Sequence, residues 1–435
     1  MSHGDHDAHA CDEYNHLSSR RDFLKASGAS GAALYAWAQP DWLPRVSFAD
    51  SFVANRDVIV SIFLRGGADG LSLCVPFGDP LYYSGRPTIA IPRPDGSAAN
   101  KGIALDNFFA FPQAMRFLMP AYTAGDLLVV HGAGLTFNTR SHFDAQHFIE
   151  AGKANDNNVN TGWLGRHLAT SSPMKSGAAL RGVGFSDGLV DTLKGAPNTL
   201  PMNDPANYGI AGSTSTRDAR TTWLKTEYSD SPDPAKTSAV EAIATINLLR
   251  SLNIGGYVPA NGTVYPNNGF ARGLRSSAAL IKADIGVEAV HLDLGGWDTH
   301  TQQDPLGGGM AQVMTQLSGA LGAFWQDTVS SGLTQNVTVV VISEFGRNVR
   351  ENGSRGTDHG RGTAMFAMGR GIRGGRVLTS NWSPLAPENL ADRQDLPVTI
   401  DHRDVLAEIV QNRLGNASIA SVFPGYVPAF RGVTW

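Results

Sequence analysis

The chain has 435 residues, 42% of them hydrophobic and 17% charged, which is ordinary globular composition. That length accommodates one large α/β domain or two modest ones. A net charge of −4 is too small to draw the protein to nucleic acid or to an anionic membrane, and no basic cluster with interleaved aromatics runs through it.

Residues 1–49 read as a targeting segment. Ser19-Arg20-Arg21-Asp22-Phe23-Leu24-Lys25 fits the twin-arginine consensus, and a mildly apolar, Ala- and Gly-rich stretch from Ala26 to Ala38 follows it. That stretch is too short and too weak to be a permanent membrane span. Cleavage after Ala38 or Ala49 is expected, with the twin-arginine translocase as the export partner and a periplasmic or secreted mature chain. The run His3, Asp5, His6, Asp7 and His9 is a solvated tail removed with the signal. Cys11 goes with it, leaving Cys74 alone and no intramolecular disulfide.

Fold reasoning therefore covers residues 55–435. Asp57–Leu64 (DVIVSIFL) is an almost continuous apolar run, which suits a parallel strand buried on both faces. Leu127–Val130, Val287–Leu294 and Val337–Ile342 read the same way. Between the last two, Met310, Val313, Met314, Leu317, Leu321 and Phe324 recur at helical spacing and predict a crossover helix. Thr363–Met368 adds a strand, and Asp404–Leu414 a helix stopped by Gly415. Residues of about 197–285 contain a stretch rich in Pro, Asn, Ser and Thr and one helix, Ala235–Leu252; they read as a loop-rich insertion or cap. The expected class is α/β, a mostly parallel central sheet with helices on both faces.

Polar residues fall in a pattern along these elements. Asp69 follows the first strand, His131 the second, Asp298 and His300 the third, and Glu344 the fourth, with Asp358-His359 soon after. In an open parallel sheet all these carboxyl ends share one edge, where ligands bind. Carboxylates and imidazoles sent there suit zinc, manganese or a similar divalent ion. Each residue also has a plainer role: Asp69-Gly70 as a turn pair, Asp298 as a helix cap, Asp358 bonding its own loop. Ser141, with Asp144 three residues on, forms a capping box for a helix running to Glu150. A helix N-terminus also binds anions, and a serine there beside a cation can serve as a nucleophile. Arg140 or Arg347 would then hold the anionic group bidentately.

With Arg65-Gly66-Gly67-Ala68-Asp69-Gly70-Leu71, Arg140-Ser141-His142-Phe143, Gly296-Trp297-Asp298-Thr299-His300, Ser343-Glu344-Phe345-Gly346-Arg347 and Thr357-Asp358-His359-Gly360, the chain resembles the family named domain of unknown function 1501. That family is itself similar to the alkaline phosphatase and sulfatase superfamily. The resemblance implies an alkaline-phosphatase-like fold and one or two metals, with Asp69, Asp298, His300, Glu344 and His359 as ligands. It also implies Ser141 as a metal-assisted nucleophile and a small anionic phosphate or sulfate ester as substrate; from their positions, Arg140, Arg347 and His131 are the expected substrate contacts. Phe345 stands where that superfamily has a histidine ligand, and the Asp298–His300 spacing is shorter than usual. Cys74-Val75-Pro76-Phe77-Gly78 begins like a sulfatase activation motif but has Gly78 in place of Arg, which argues against a formylglycine enzyme.

Two other readings stand beside a hydrolase. One is a non-catalytic exported binding protein that retains the fold, favoured by Phe345. The other is a serine esterase using Ser186 of Gly184-Phe185-Ser186-Asp187-Gly188, which requires a strand before the serine and a helix after it.

Overall fold

In the computed structural model, which describes residues 56–210, 212–229, 235–332 and 336–435, the run Asp57–Leu64 forms strand β1 with every residue buried. The export signal expected around Arg20 and Arg21 lies outside the described residues. The sheet continues with β2 (Leu127–Gly134), β3 (Gly182–Gly184), β4 (Thr199–Pro201), β5 (Ala289–Leu294), β6 (Asn336–Ser343), β7 (Thr363–Met368), β8 (Arg376–Leu378) and β9 (Ile400–Asp401). Their spatial order is β8-β2-β7-β6-β1-β5-β3-β4, with β9 also pairing along β2. Among the described strands of this sheet, only β7 is antiparallel, to both β2 and β6. The carboxyl ends of β1, β2, β5 and β6 consequently emerge on one edge, and β7 starts from that edge.

Alternate residues of β1 face opposite layers, as a fully buried strand requires. Val58, Val60, Ile62 and Leu64 pack in one core with helices α3 (Gly269–Lys282) and α4 (Gly309–Asp327). Ile59 and Phe63 pack in the other with α1 (His142–Ala151), α2 (Trp163–Thr170) and α5 (His402–Asn412). Met310, Met314, Leu317, Leu321 and Phe324 are the buried stripe of α4, at the spacing expected of the helix between β5 and β6. The fold is α/β, with a large, mostly parallel sheet covered by helices on both faces.

Two boundaries differ from expectation. β2 runs on to Gly134, so His131 is an interior strand residue and not a strand-end group. The span 197–285, expected as an insertion, begins with β4, which pairs in parallel with β3, and ends with α3, whose Leu274, Ala278, Leu280 and Ile281 belong to the main core. The Pro- and Asn-rich composition between these two elements concealed both of them. Among the described residues, no helix is long and apolar enough to cross a membrane.

Candidate metal centre

Segments leaving the carboxyl edge of the sheet meet at one point. β5 runs through Gly295-Gly296-Trp297 into Asp298 and His300; β6 ends against Glu344; Asp358 and His359 precede β7; and His142 is the first residue of α1. The turn after β1 closes over this point. A side chain at Gly66, whose φ is +119°, would lie 2.6 Å from the backbone nitrogen of Asp298, so the approach requires glycine.

The three imidazoles are oriented alike. Nδ1 of His142 lies 2.8 Å from Glu344 Oε1, Nδ1 of His300 lies 2.9 Å from Asp358 Oδ1, and Nδ1 of His359 lies 3.0 Å from the Arg140 carbonyl oxygen. An ionised carboxylate or a carbonyl only accepts, so each Nδ1 donates and each neutral ring turns a bare Nε2 lone pair inward. Nε2 of His300 and Nε2 of His359 are 3.0 Å apart, and they lie 3.2 and 3.4 Å from Asp298 Oδ1. Among the described residues the buried Nε2 of His142 finds no hydrogen-bond partner, and it sits 3.6 Å from Asp298 Oδ2. Facing lone pairs repel unless something positive lies near them. One donor atom from each of His142, Asp298 and His359 falls within 4.8 Å of the others, which is metal-ligand spacing. Three imidazoles and a carboxylate, with each Nδ1 held by an outer acceptor, are the chemistry of a site for zinc or a similar ion.

The surrounding charges support ionised carboxylates and a neutral His359 ring. Burial alone would raise Asp298, but the hydrogen bond and charge of Arg347, helped by His300 and His142, hold it below the usual carboxylate range. Burial likewise works against Glu344, and hydrogen bonds from His142, Gln146 and Gly66 outweigh it. Asp358 is lowered chiefly by its hydrogen bond with His300. His359 is pushed down by burial and by the charge of Arg347, whereas His142 is raised, first of all by Glu344. With a side chain half exposed, at 50%, Asp298 leaves the centre open to solvent.

Among the residues expected at a site, the structure brings Asp298, His300 and His359 together and puts Glu344 one layer behind, on His142. Asp69 is elsewhere. It is buried, caps the turn Gly70–Leu73, and accepts from both terminal nitrogens of Arg86, from Ser72 and from Gln303 at 2.7 Å, which leaves it no lone pair for a cation. His131 is also remote from the imidazole cluster, against the Cys74 carbonyl (2.9 Å) and the rings of Phe109 and Trp382. Arg347 is buried, and its donors are directed at the carbonyls of Gly66, Gly67, Trp297 and Thr357 and at Asp298. It builds the site, and its burial turns it toward these internal partners and away from solvent. Arg140 is paired with Asp392 (2.9 Å) and Asp395 (2.6 Å).

Ser141 is the N-cap of α1, accepting from the Asp144 amide at 3.3 Å, between the carbonyl that orients His359 and the inward-facing His142. His142 itself was not singled out from sequence; its signal is the helical spacing of His142 and Gln146, which both donate to Glu344 Oε1. Ser186 follows β3 but precedes only a three-residue 3-10 turn, Asp191–Leu193, and its hydroxyl donates to the Gly188 carbonyl. The helix of a nucleophile elbow is not there.

The profile of the family described as protein of unknown function (DUF1501) matches residues 56–418. The chain belongs to the DUF1501 family. In this DUF1501 protein the matched region runs from β1 through α5 and contains every residue of the imidazole centre. No curated protein matches the chain. Among solved structures, one similar to this DUF1501 chain is a protein in the alkaline phosphatase superfamily from Vibrio parahaemolyticus. The two share 9% sequence identity, with a TM-score of 0.33 over 83% of this chain and 72% of that chain.

Proposed function

We propose that this protein is an exported, metal-dependent hydrolase of phosphate or sulfate esters. The observation that carries the reading is the inward convergence of three bare imidazole nitrogens on one carboxylate at the open edge of the sheet. His142, Asp298, His300 and His359 would hold a divalent ion such as zinc or manganese. When bound, such an ion polarises the ester oxygen and lowers the pKa of a neighbouring hydroxyl.

The chain's own residues take the remaining parts. Ser141 is the proposed nucleophile, at the N-terminus of α1, where unpaired backbone amides favour an anionic group. Glu344, Asp358 and the Arg140 carbonyl hold the rings in the ligating tautomer, and Arg347 fixes the Asp298 carboxylate. Arg20 and Arg21 are proposed to route the chain through the twin-arginine translocase; replacing both with Lys should retain it in the cytoplasm.

The test is elemental analysis of the folded chain together with aryl phosphate and aryl sulfate hydrolysis. A stoichiometric divalent metal and turnover abolished by EDTA are expected, and Ser141→Ala should lose turnover while keeping the metal. Folded protein that takes up no metal would refute the reading. A non-catalytic binding protein is the second reading, and the commitment of Arg140 and Arg347 to internal partners favours it. It would be preferred if Ser141→Ala left ester turnover and metal content of the metal-loaded protein unchanged.

A further inference from the structure

We infer that the centre holds a single divalent cation, with the Arg347 guanidinium standing as its fixed second positive charge, and that it takes monoanionic tetrahedral esters in preference to dianionic ones. This rests on the metal-dependent reading above and deepens it.

The count of one cation follows from where the buried carboxylates are spent. Glu344 Oε1 accepts from the Gly66 amide at 2.8 Å, from His142 at 2.8 Å and from Gln146 at 2.9 Å, and Oε2 accepts from Ser343 at 2.8 Å. Asp69 is saturated by Arg86, Ser72 and Gln303. Neither can turn to a second ion without leaving buried donors unpaired. The Phe345 ring packs 4.8 Å from His142 and 4.9 Å from His359, so an apolar wall closes the site on that side. Arg347 completes the argument. Its Nη2 donates to Asp298 Oδ1 and to the Trp297 carbonyl, so a permanent cation already lies against the carboxylate at the middle of the cluster.

Charge balance then selects the substrate. Around the cluster stand three carboxylates, Asp298, Glu344 and Asp358, and one guanidinium, Arg347. A doubly charged cation brings this set to neutrality. The nearby Arg140 adds no surplus, because Asp392 and Asp395 flank it. A site without net charge gives little compensation for stripping water from a phosphate monoester dianion. A phosphate diester or a sulfate monoester brings the same tetrahedral oxygens with half that charge and a smaller desolvation cost.

Two measurements on the full mature chain test this. The first titrates metal-free protein with zinc, then with manganese, and measures bound metal per chain after dialysis. One equivalent is expected, with its loss in Asp298→Asn. Two equivalents overturn the single-cation inference and leave the hydrolase reading standing, whereas none overturns both. The second compares calorimetric binding of diphenyl phosphate and phenyl sulfate with that of phenyl phosphate at pH 8, on the metal-loaded Ser141→Ala chain, which does not consume them. Either or both monoanions should bind about ten-fold more tightly, and which of the two does so distinguishes a diester site from a sulfate site. Equal or tighter binding of phenyl phosphate, or no binding of any of the three, overturns the charge argument.

Discussion

Glu344 and Asp69 are both buried carboxylates placed just after sheet strands, yet their neighbours assign them opposite work. Glu344 receives His142, Gln146, Ser343 and the Gly66 amide, so Glu344→Ala should destabilise the fold by about 2–4 kcal/mol. Under the metal proposal the folded variant should also bind the ion roughly 10–100-fold more weakly, because His142 loses the acceptor that sets its tautomer. Asp69→Ala should cost about 3–5 kcal/mol by stranding the buried Arg86, with metal content of the surviving folded protein unchanged. Chemical denaturation paired with metal analysis separates the two, and metal loss in Asp69→Ala would show that it ligates after all. Sequence position cannot make this distinction. Arg86, the partner that takes Asp69 out of play, lies 17 residues away beyond two short helical turns with no periodicity to announce it.

Helix α1 shows how one element serves stability and site together. Its N-cap Ser141 accepts from the Asp144 amide, so Ser141→Ala should lower stability by about 1 kcal/mol whatever it does to chemistry. Ser141→Asn keeps a capping oxygen; under the hydrolase proposal it should recover the stability and not the turnover, measured by thermal melts beside ester hydrolysis. The loops from β6 and into β7 are as tightly constrained. A side-chain carbon at Gly346 would sit 1.9 Å from the Gly362 carbonyl oxygen, so Gly346→Ala should push the Glu344 and His359 loops apart and weaken metal uptake more than a surface change would. The strands that deliver Asp298, His300, Glu344 and His359 were legible because parallel strands buried on both faces leave unbroken apolar runs. His142 was harder to see, since the strong capping pattern of Ser141 and Asp144 accounts for that stretch without assigning its imidazole. β4 and α3 were obscured by the polar, proline-rich residues that join them.

Over the whole molecule, histidines away from the centre set the acid limit. His131 is pushed down to about 4 by burial, and His167 to about 3 by burial with the charges of Arg181 and Arg56, from an ordinary value of 6.5. Both are neutral in the native state, whereas the unfolded chain protonates them below about pH 6.5. Their contribution is therefore complete above pH 6.5 and is lost as pH falls toward 4 and then 3, at up to about 1.4 kcal/mol per pH unit for each group. Melting temperature should drop across this window, and His131→Gln should flatten the drop; an unchanged slope in that variant would remove His131 from the account. The strand order has another consequence, in time and not in space. β1 lies between β5 and β6, and Leu64 pairs in register with Ser343, 279 residues further along. A growing chain thus releases its most apolar strand from the ribosome long before either flanking strand has been synthesised. Until then its edge hydrogen bonds are open to any passing strand, so shielding of residues 57–64 during translation should govern how much of the product reaches its native state.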